Sequence, residues 1–370
     1  MRLVFFYVMD GASKGLKWDP SIPATNFFAN RIKDEGYFYI LKRMVEEKIV
    51  DEVLIIVESS KGTGFTKYGE KITGYTMPDI ADFVKDYLLP EDIIYIRGGF
   101  KGWYVHLEEM QRRNHWLLIY AANTGREKWP FWSVVFNDLA GTNRFDHLER
   151  FQFDFKKPIN PNLFFPIKLN RDYDVCIGAS HIHDKKGQWR TVQALIEYKR
   201  IFGENLKCIM PGAFRRGTET NKMIKILQTK SLDVELPSMI SRSKLNRIYN
   251  RSKLFVHLGG GGQGDRGPLE ALRCGCPVMV GNNFRHSRTV YSNKRVSTVL
   301  PINATPEDIA RNLYFSVASH SERLRKEAHD HFETVNGIET IILPDMKRLF
   351  DIFRDCPKYD ASKLIKLDKD

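Results

Sequence analysis

The segment 253-KLFVHLGGGGQGDRGPLEALRCGCPVMVGNN-283 constrains this chain more than any other. It reads as a buried strand over 254–258, a glycine-rich turn, an amphipathic helix and a second buried strand over 277–280. Four consecutive glycines, Gly259 to Gly262, let the backbone approach a ligand closely and take positive φ where a turn needs it. The turn leads into a helix around Pro268, a residue suited to a first helical turn. A helix N-terminus preceded by glycines is a ready phosphate site. Glu270 lies near it, where a carboxylate suits a sugar hydroxyl better than a phosphate.

The rest of the chain repeats this alternation. In the first half, apolar runs at 3–8, 53–57, 93–96, 117–120 and 134–136 read as strands buried on both faces. Between the first two, 36–52 carries Ile40, Leu41, Met44, Val45 and Ile49 at helical spacing. Around 156–174 three prolines interrupt the pattern, and this stretch reads as an interdomain linker. A second series then begins with a strand at 173–180. It continues through a helix at 188–203, a strand at 206–212, and helices at 220–230 and 242–252. Residues 305–335 read as helical, with Thr305 as N-cap and Pro306 in the first turn.

The fold class expected is α/β: two doubly wound, Rossmann-like domains facing across a cleft. Residues 1–157 form the first domain, 158–172 the linker and 173–335 the second domain. Residues 336–370 are a C-terminal helix and polar tail that can cross back to the first domain. At 370 residues the chain suits two cores of ordinary size.

The apolar run at the N-terminus is far too short to span a bilayer and lacks a small-residue cleavage site, so it reads as a first strand. The five cysteines show no metal-ligand spacing and suit free thiols in a reducing cytoplasm. A net charge of +12 points to an anionic partner: nucleotide phosphates, nucleic acid or an anionic membrane surface. No strongly basic amphipathic helix of the membrane-docking kind stands out.

The string 270-EALRCGCPV-278 behind a glycine-rich turn resembles the E-A-x-x-x-G-x-P-V signature of the retaining GT-B glycosyltransferases of the GT4 group. Upstream, 177-IGASHIHDKKGQWRTVQAL-195 looks like that family's strand, loop and Lys-Gly helix start, and 209-IMPGAF-214 resembles its next strand. The stretch 158-PINPNLFFP-166 is similar to the family's interdomain segment. The likeness covers residues 155–335 well and the first half only in architecture.

The resemblance implies roles. Glu270 would accept hydrogen bonds from the nucleotide ribose. Lys186, with Lys185 as runner-up, would hold the donor diphosphate and neutralise the leaving group. Arg215 or Arg216 would assist with the diphosphate or base, and Gly260, Gly261, Gly262, Gln263 and Pro268 would form the turn and helix start around the donor. Arg215 and Arg216 read equally as surface charge; the lesser readings are a solvated loop charge for either lysine and a first-turn acid favouring the helix dipole for Glu270. One departure stands out: the family carries a glutamate eight residues before Glu270, and Gly262 occupies that place here, with Asp265 the nearest acid.

In the first half, Gly11 and Gly15 follow the first strand, and Arg97, Gly98 and Gly99 follow another. Asn123, Arg126, Lys128 and Trp129 follow a third, and His106 or His115 could act as a base. These are acceptor-side candidates; simple turns and surface positions explain the glycines and the Asn123–Trp129 group nearly as well, and a helix-surface place is the more common one for the histidines.

The function expected is therefore a cytoplasmic retaining glycosyltransferase using a nucleotide-diphosphate sugar. The resemblance implies no essential metal or other cofactor, and no Asp-x-Asp motif stands at a strand end. The acceptor expected is a hydroxymethylated base in DNA, viral DNA in a host cytoplasm being one setting. A cell-envelope glycan or lipid-linked sugar is the alternative, and a non-catalytic binding protein of the same fold a second.

Overall fold

The computed structural model describes residues 1–8, 32–58, 64–97, 103–121, 130–137, 151–154, 157–178, 186–212, 218–238, 240–259, 265–282, 290–360 and 362–363. They divide into two compact units, one of Met1–Pro158 with Ile338–Asp370, the other of Ile159–Gly337.

The first unit is built on strands β1 (Arg2–Val8), β2 (Glu52–Glu58), β3 (Gly64–Lys67), β4 (Ile72–Met77), β5 (Ile93–Arg97), β6 (Leu117–Ala121), β7 (Val134–Asn137) and β8 (Phe151–Asp154). Their order is β3-β4-β2-β1-β5-β6-β7-β8, parallel except for the edge strand β3, which runs antiparallel to β4. Helices α1 (Gly36–Glu46), α2 (Ala81–Asp86) and α3 (Tyr104–Arg112) cover the sheet.

Strict alternation sorts the strand side chains. Leu3, Phe5, Val53 and Ile55 pack with α1 and the C-terminal helix, whereas Val4, Phe6, Leu54 and Ile56 pack with α2 and α3. Both faces being covered explains why these strands read as continuous apolar runs.

The second sheet holds β9 (Tyr173–Ile177), β10 (Cys208–Ile209), β11 (Val234–Glu235), β12 (Ser252–His257), β13 (Val278–Gly281) and β14 (Ser297–Leu300). Among the described residues all its strand pairings are parallel, in the order β11-β10-β9-β12-β13-β14. Its helices are α4 (Gln188–Phe202), α5 (Thr218–Thr229), α6 (Arg242–Asn250), α7 (Arg266–Arg273), α8 (Pro306–Ala318) and α9 (Glu322–Asn336). From β9 the chain steps to one side through β10 and β11, then returns to β12 and steps to the other. The strand order therefore reverses between β9 and β12, where open α/β sheets bind ligands beyond the strand carboxyl ends.

Three expectations need correction. The helical run at 305–335 is two helices, because the Ser321 side chain accepts from the Leu324 amide and starts α9 afresh. The strand expected at 206–212 is ladder-paired only at Cys208 and Ile209. The stretch expected as a linker is packed into the second unit instead, with Ile159 and Phe164 in its core.

Buried polar groups hold that stretch in place. Asn250 accepts from the Ile167 amide at 2.7 Å and donates to the Phe165 carbonyl at 2.9 Å. Arg273 donates to the Phe164 carbonyl at 2.8 Å, and Arg325 donates to the Ile167 carbonyl and to Asn250. Arg171 reaches the carbonyls of Tyr249, Ser252 and Gly275. The break between units thus falls at Pro158–Ile159 rather than across a free linker.

At the other crossing, α10 (Leu343–Asp355) follows a short π-helical turn (Ile338–Ile342) and packs on α1 in the first unit. Trp116 Nε1 donates to the Cys356 carbonyl at 2.7 Å and Arg354 to the Ile49 carbonyl at 2.9 Å, which fastens the end of α10. Among the described residues no helix is long and apolar enough to cross a membrane.

Candidate functional site

Lys186 stands one residue before the left-handed Gly187, the N-cap of α4 (φ +74°). A Cβ at Gly187 would lie 2.4 Å from the carbonyl carbon of Leu258, so the start of α4 rests directly on the backbone leaving β12. Two further bonds fix this turn across the strand-order reversal. Gln188 donates to the Gly178 carbonyl just after β9 at 3.3 Å, and Arg190 to the Leu258 carbonyl at 3.2 Å.

From the far side comes α7, whose N-cap is Asp265. An N-cap aspartate ordinarily accepts from its own helix's first-turn amides. Here the side chain makes no such bond and turns outward to Lys186 Nζ, with which it forms an ion pair. His257 Nε2, at the last position of β12, lies 2.8 Å from the same carboxylate oxygen. Burial works against ionisation of Asp265, but the hydrogen bonds from His257 and Lys186 outweigh it and hold the carboxyl below its ordinary range. Lysine, aspartate and histidine thus form one charged cluster at the switch point.

Pro268 is the third residue of α7 and is buried, in keeping with a proline in a first turn. Glu270 lies two residues on, with only 8% exposure, and accepts from the Tyr249 hydroxyl at 3.3 Å. Burial and the adjacent Glu270 carboxylate push the Tyr249 phenol well up, so it stays a donor. Gly267 lets the helix pass close to the Phe255 ring: a Cβ there would come within 3.1 Å of the ring.

Of the candidates read from the sequence, Lys186, Pro268 and Glu270 are therefore carried by two helix starts beyond the adjacent strands β9 and β12. Lys185, Arg215, Arg216, Gly260, Gly261, Gly262 and Gln263 lie outside the described residues, as do Gly11, Gly15, Asn123 and Arg126. His257 and Tyr249 were missed. The first looks in sequence like the end of a core strand and the second like an apolar helix position.

In the first unit, Arg97 ends β5, where the strand order reverses between β1 and β5. Its guanidinium lies 4.7 Å from the Tyr7 ring centre, 4.8 Å from that of Tyr37 and 3.8 Å from the buried Glu35 carboxylate. These contacts orient the side chain firmly. His115 is buried with Nδ1 3.0 Å from the Asp92 carbonyl, and burial lowers its pKa. His106, in the first turn of α3, lies 3.9 Å from Asp79. Glu58, ending β2, is buried and accepts from Trp103 Nε1 at 2.7 Å. Among the described residues no cluster of three or more histidine, cysteine or acidic side chains is placed to hold a metal ion.

Solved structures match the chain from end to end. A glycosyltransferase from Rickettsia africae superposes with a TM-score of 0.66 at 14% identity, over 96% of this chain and 98% of its own. Anabaena HepE in complex with UDP gives 0.66 at 13% identity, over 95% and 100%. Sucrose-phosphate synthase from Thermosynechococcus elongatus gives 0.63 at 12% identity, over 96% and 99%. The fold is that of the GT-B glycosyltransferases. No protein-family model matches the sequence, and no curated protein does either. The GT-B likeness therefore resides in the architecture, with the sequence far diverged.

Proposed function

We propose that this chain is a retaining glycosyltransferase that moves a sugar from a nucleoside-diphosphate donor to an acceptor hydroxyl. The observation carrying the reading is the meeting of Lys186 with the N-terminus of α7 at the switch point of the second sheet, with the Glu270 carboxylate two residues beyond Pro268. A lysine and a helix N-terminus suit a diphosphate, and a carboxylate suits a ribose diol. HepE, of the same fold, has been captured with UDP and with UDP-glucose, which supports a nucleotide sugar as donor.

In the reaction the acceptor oxygen bonds to the anomeric carbon as that carbon's bond to the diphosphate breaks. The hydroxyl proton passes to the departing phosphate oxygen on the same face, so configuration is retained. Lys186 and the α7 amides stabilise the charge that gathers on the leaving diphosphate.

The acceptor we propose is a hydroxymethylated base in DNA, on the strength of the +12 net charge. A second reading is a nucleotide-sugar-binding protein without transfer, favoured by Gly262 standing where the resembled family carries a glutamate.

The test is nucleotide release from UDP-, GDP- and ADP-sugars, with and without hydroxymethylated DNA, for the wild type and Lys186→Ala. DNA-dependent release lost in the variant by about two orders of magnitude or more supports the reading. Slow DNA-independent release moves the acceptor to a glycan. Binding without release leaves the binding protein, and release undiminished in Lys186→Ala overturns the role of Lys186.

A further inference from the structure

The cation assigned to the donor diphosphate is already neutralised. Lys186 is paired with Asp265, and the Asp265 carboxylate stands at the N-cap of α7, within the helix start that would receive the phosphates. An incoming diphosphate must therefore displace an anion that the protein itself supplies. From this geometry we infer that Asp265 is a built-in counter-anion to Lys186, exchanged for the donor diphosphate on binding, with His257 holding the released carboxylate. The inference rests on the diphosphate site proposed above.

Three features of the cluster fit an exchange rather than a fixed structural ion pair. First, the carboxylate has two partners on different elements, Lys186 before α4 and His257 on β12. When the lysine turns to phosphate, the histidine bond at 2.8 Å survives, and the half-buried carboxylate is not left alone. Second, Asp265 does not take the first-turn amides of its own helix, although it stands at the position from which an aspartate does so. Third, the buried Tyr291 phenol is pushed well up by burial first and by Asp265 second, so it stays neutral and adds no charge to the cluster. With Asp265 ionised, the donor-free pair of Lys186 and Asp265 carries no net charge. Diphosphate binding splits the pair into two new ones.

Asp265 is thus a positioning residue that sets donor affinity. It keeps Lys186 aimed across the switch point and limits how tightly the diphosphate product is held. The test is Asp265→Asn, which keeps the shape and a hydrogen bond while removing the charge. The measurement is calorimetric affinity for UDP, GDP and ADP beside the corresponding nucleosides.

The expected result is nucleoside diphosphate binding about tenfold tighter than wild type, with nucleoside affinity unchanged. Asp265→Ser, another capable N-cap, gives the same gain if the asparagine variant folds poorly. The gain vanishes in the Lys186→Gln background, because it acts through the lysine. Diphosphate affinity that is unchanged or weaker in folded Asp265→Asn overturns the exchange. A wild type that binds none of the diphosphates overturns the donor-site reading itself, a separate outcome.

Discussion

Gly187 and Leu258 meet backbone to backbone: a Cβ on the glycine would stand 2.4 Å from the leucine carbonyl carbon. Gly187 also holds φ +74°, in the left-handed region. Gly187→Ala combines a left-handed alanine with a main-chain collision, and neither relaxes without moving α4 off β12. The expected loss is at least about 2 kcal/mol, read from denaturant unfolding. Because Lys186 precedes the glycine, donor affinity falls as well if Lys186 holds the diphosphate as proposed. An alanine variant as stable as wild type contradicts the contact.

Variants of Glu270 and Tyr249 test whether the proposed donor site serves binding or chemistry. If the carboxylate holds the ribose in ground and transition states alike, Glu270→Gln raises the KM for donor about tenfold and leaves kcat near wild type. Tyr249→Phe removes only the supporting bond at 3.3 Å, and the expected rise is a few-fold. Steady-state kinetics with varied donor decide this. A collapse of kcat with unchanged KM assigns Glu270 a part in the bond-making step instead.

Glu58 makes stability fall with rising pH. Burial first, then the neighbouring Asp79 carboxylate, push its carboxyl up to about 7, against opposing hydrogen bonds from Trp103 Nε1 and the Ile80 amide. The folded chain therefore binds this proton more tightly than the unfolded chain does. No penalty exists below the unfolded value of 4.5, and it grows as pH rises from there through about 7. Glu58→Gln keeps an acceptor for Trp103 and abolishes the titration. The variant should match wild type near pH 4 and exceed it by about 1 to 2 kcal/mol at pH 8. Thermal melts of both proteins across that range check the sign.

Arg325 tests the fastening of the stretch after Pro158. Its side chain is nearly buried and donates to the Ile167 carbonyl and Asn250 Oδ1. Arg325→Met leaves that carbonyl without its charged donor, at an expected cost of about 2 to 3 kcal/mol. Hydrogen exchange localises the effect: protection falls at the Ile167 amide and along α9, while β1 and β2 keep theirs. Equal loss in both units is the contrary result.

Strands covered on both faces were legible because their apolar runs are unbroken, as at Val53 to Val57. By contrast, β4 hides behind Thr73, Gly74 and Thr76, whose small or polar side chains give neither an apolar run nor a clean alternation. The break at Ser319–Ser321 carries no glycine or proline, only a serine whose capping bond needs the fold to be seen. At the candidate site, Lys186 and Glu270 could be singled out in the sequence because each sits in a local string. The His257–Asp265 contact joins residues on either side of a glycine-rich sequence, and spacing alone does not disclose that a strand end and a helix cap face one another.

The core of the first unit includes Met346, Leu349, Phe350 and Phe353 of α10, all fully buried. During synthesis these side chains emerge only after the whole of Ile159–Gly337 has been made. The early sheet must therefore wait on the ribosome with one face incompletely covered, while the later unit already has all its parts. In this chain the unit begun first is the one finished last, and one face of its sheet stays incompletely covered until α10 has emerged.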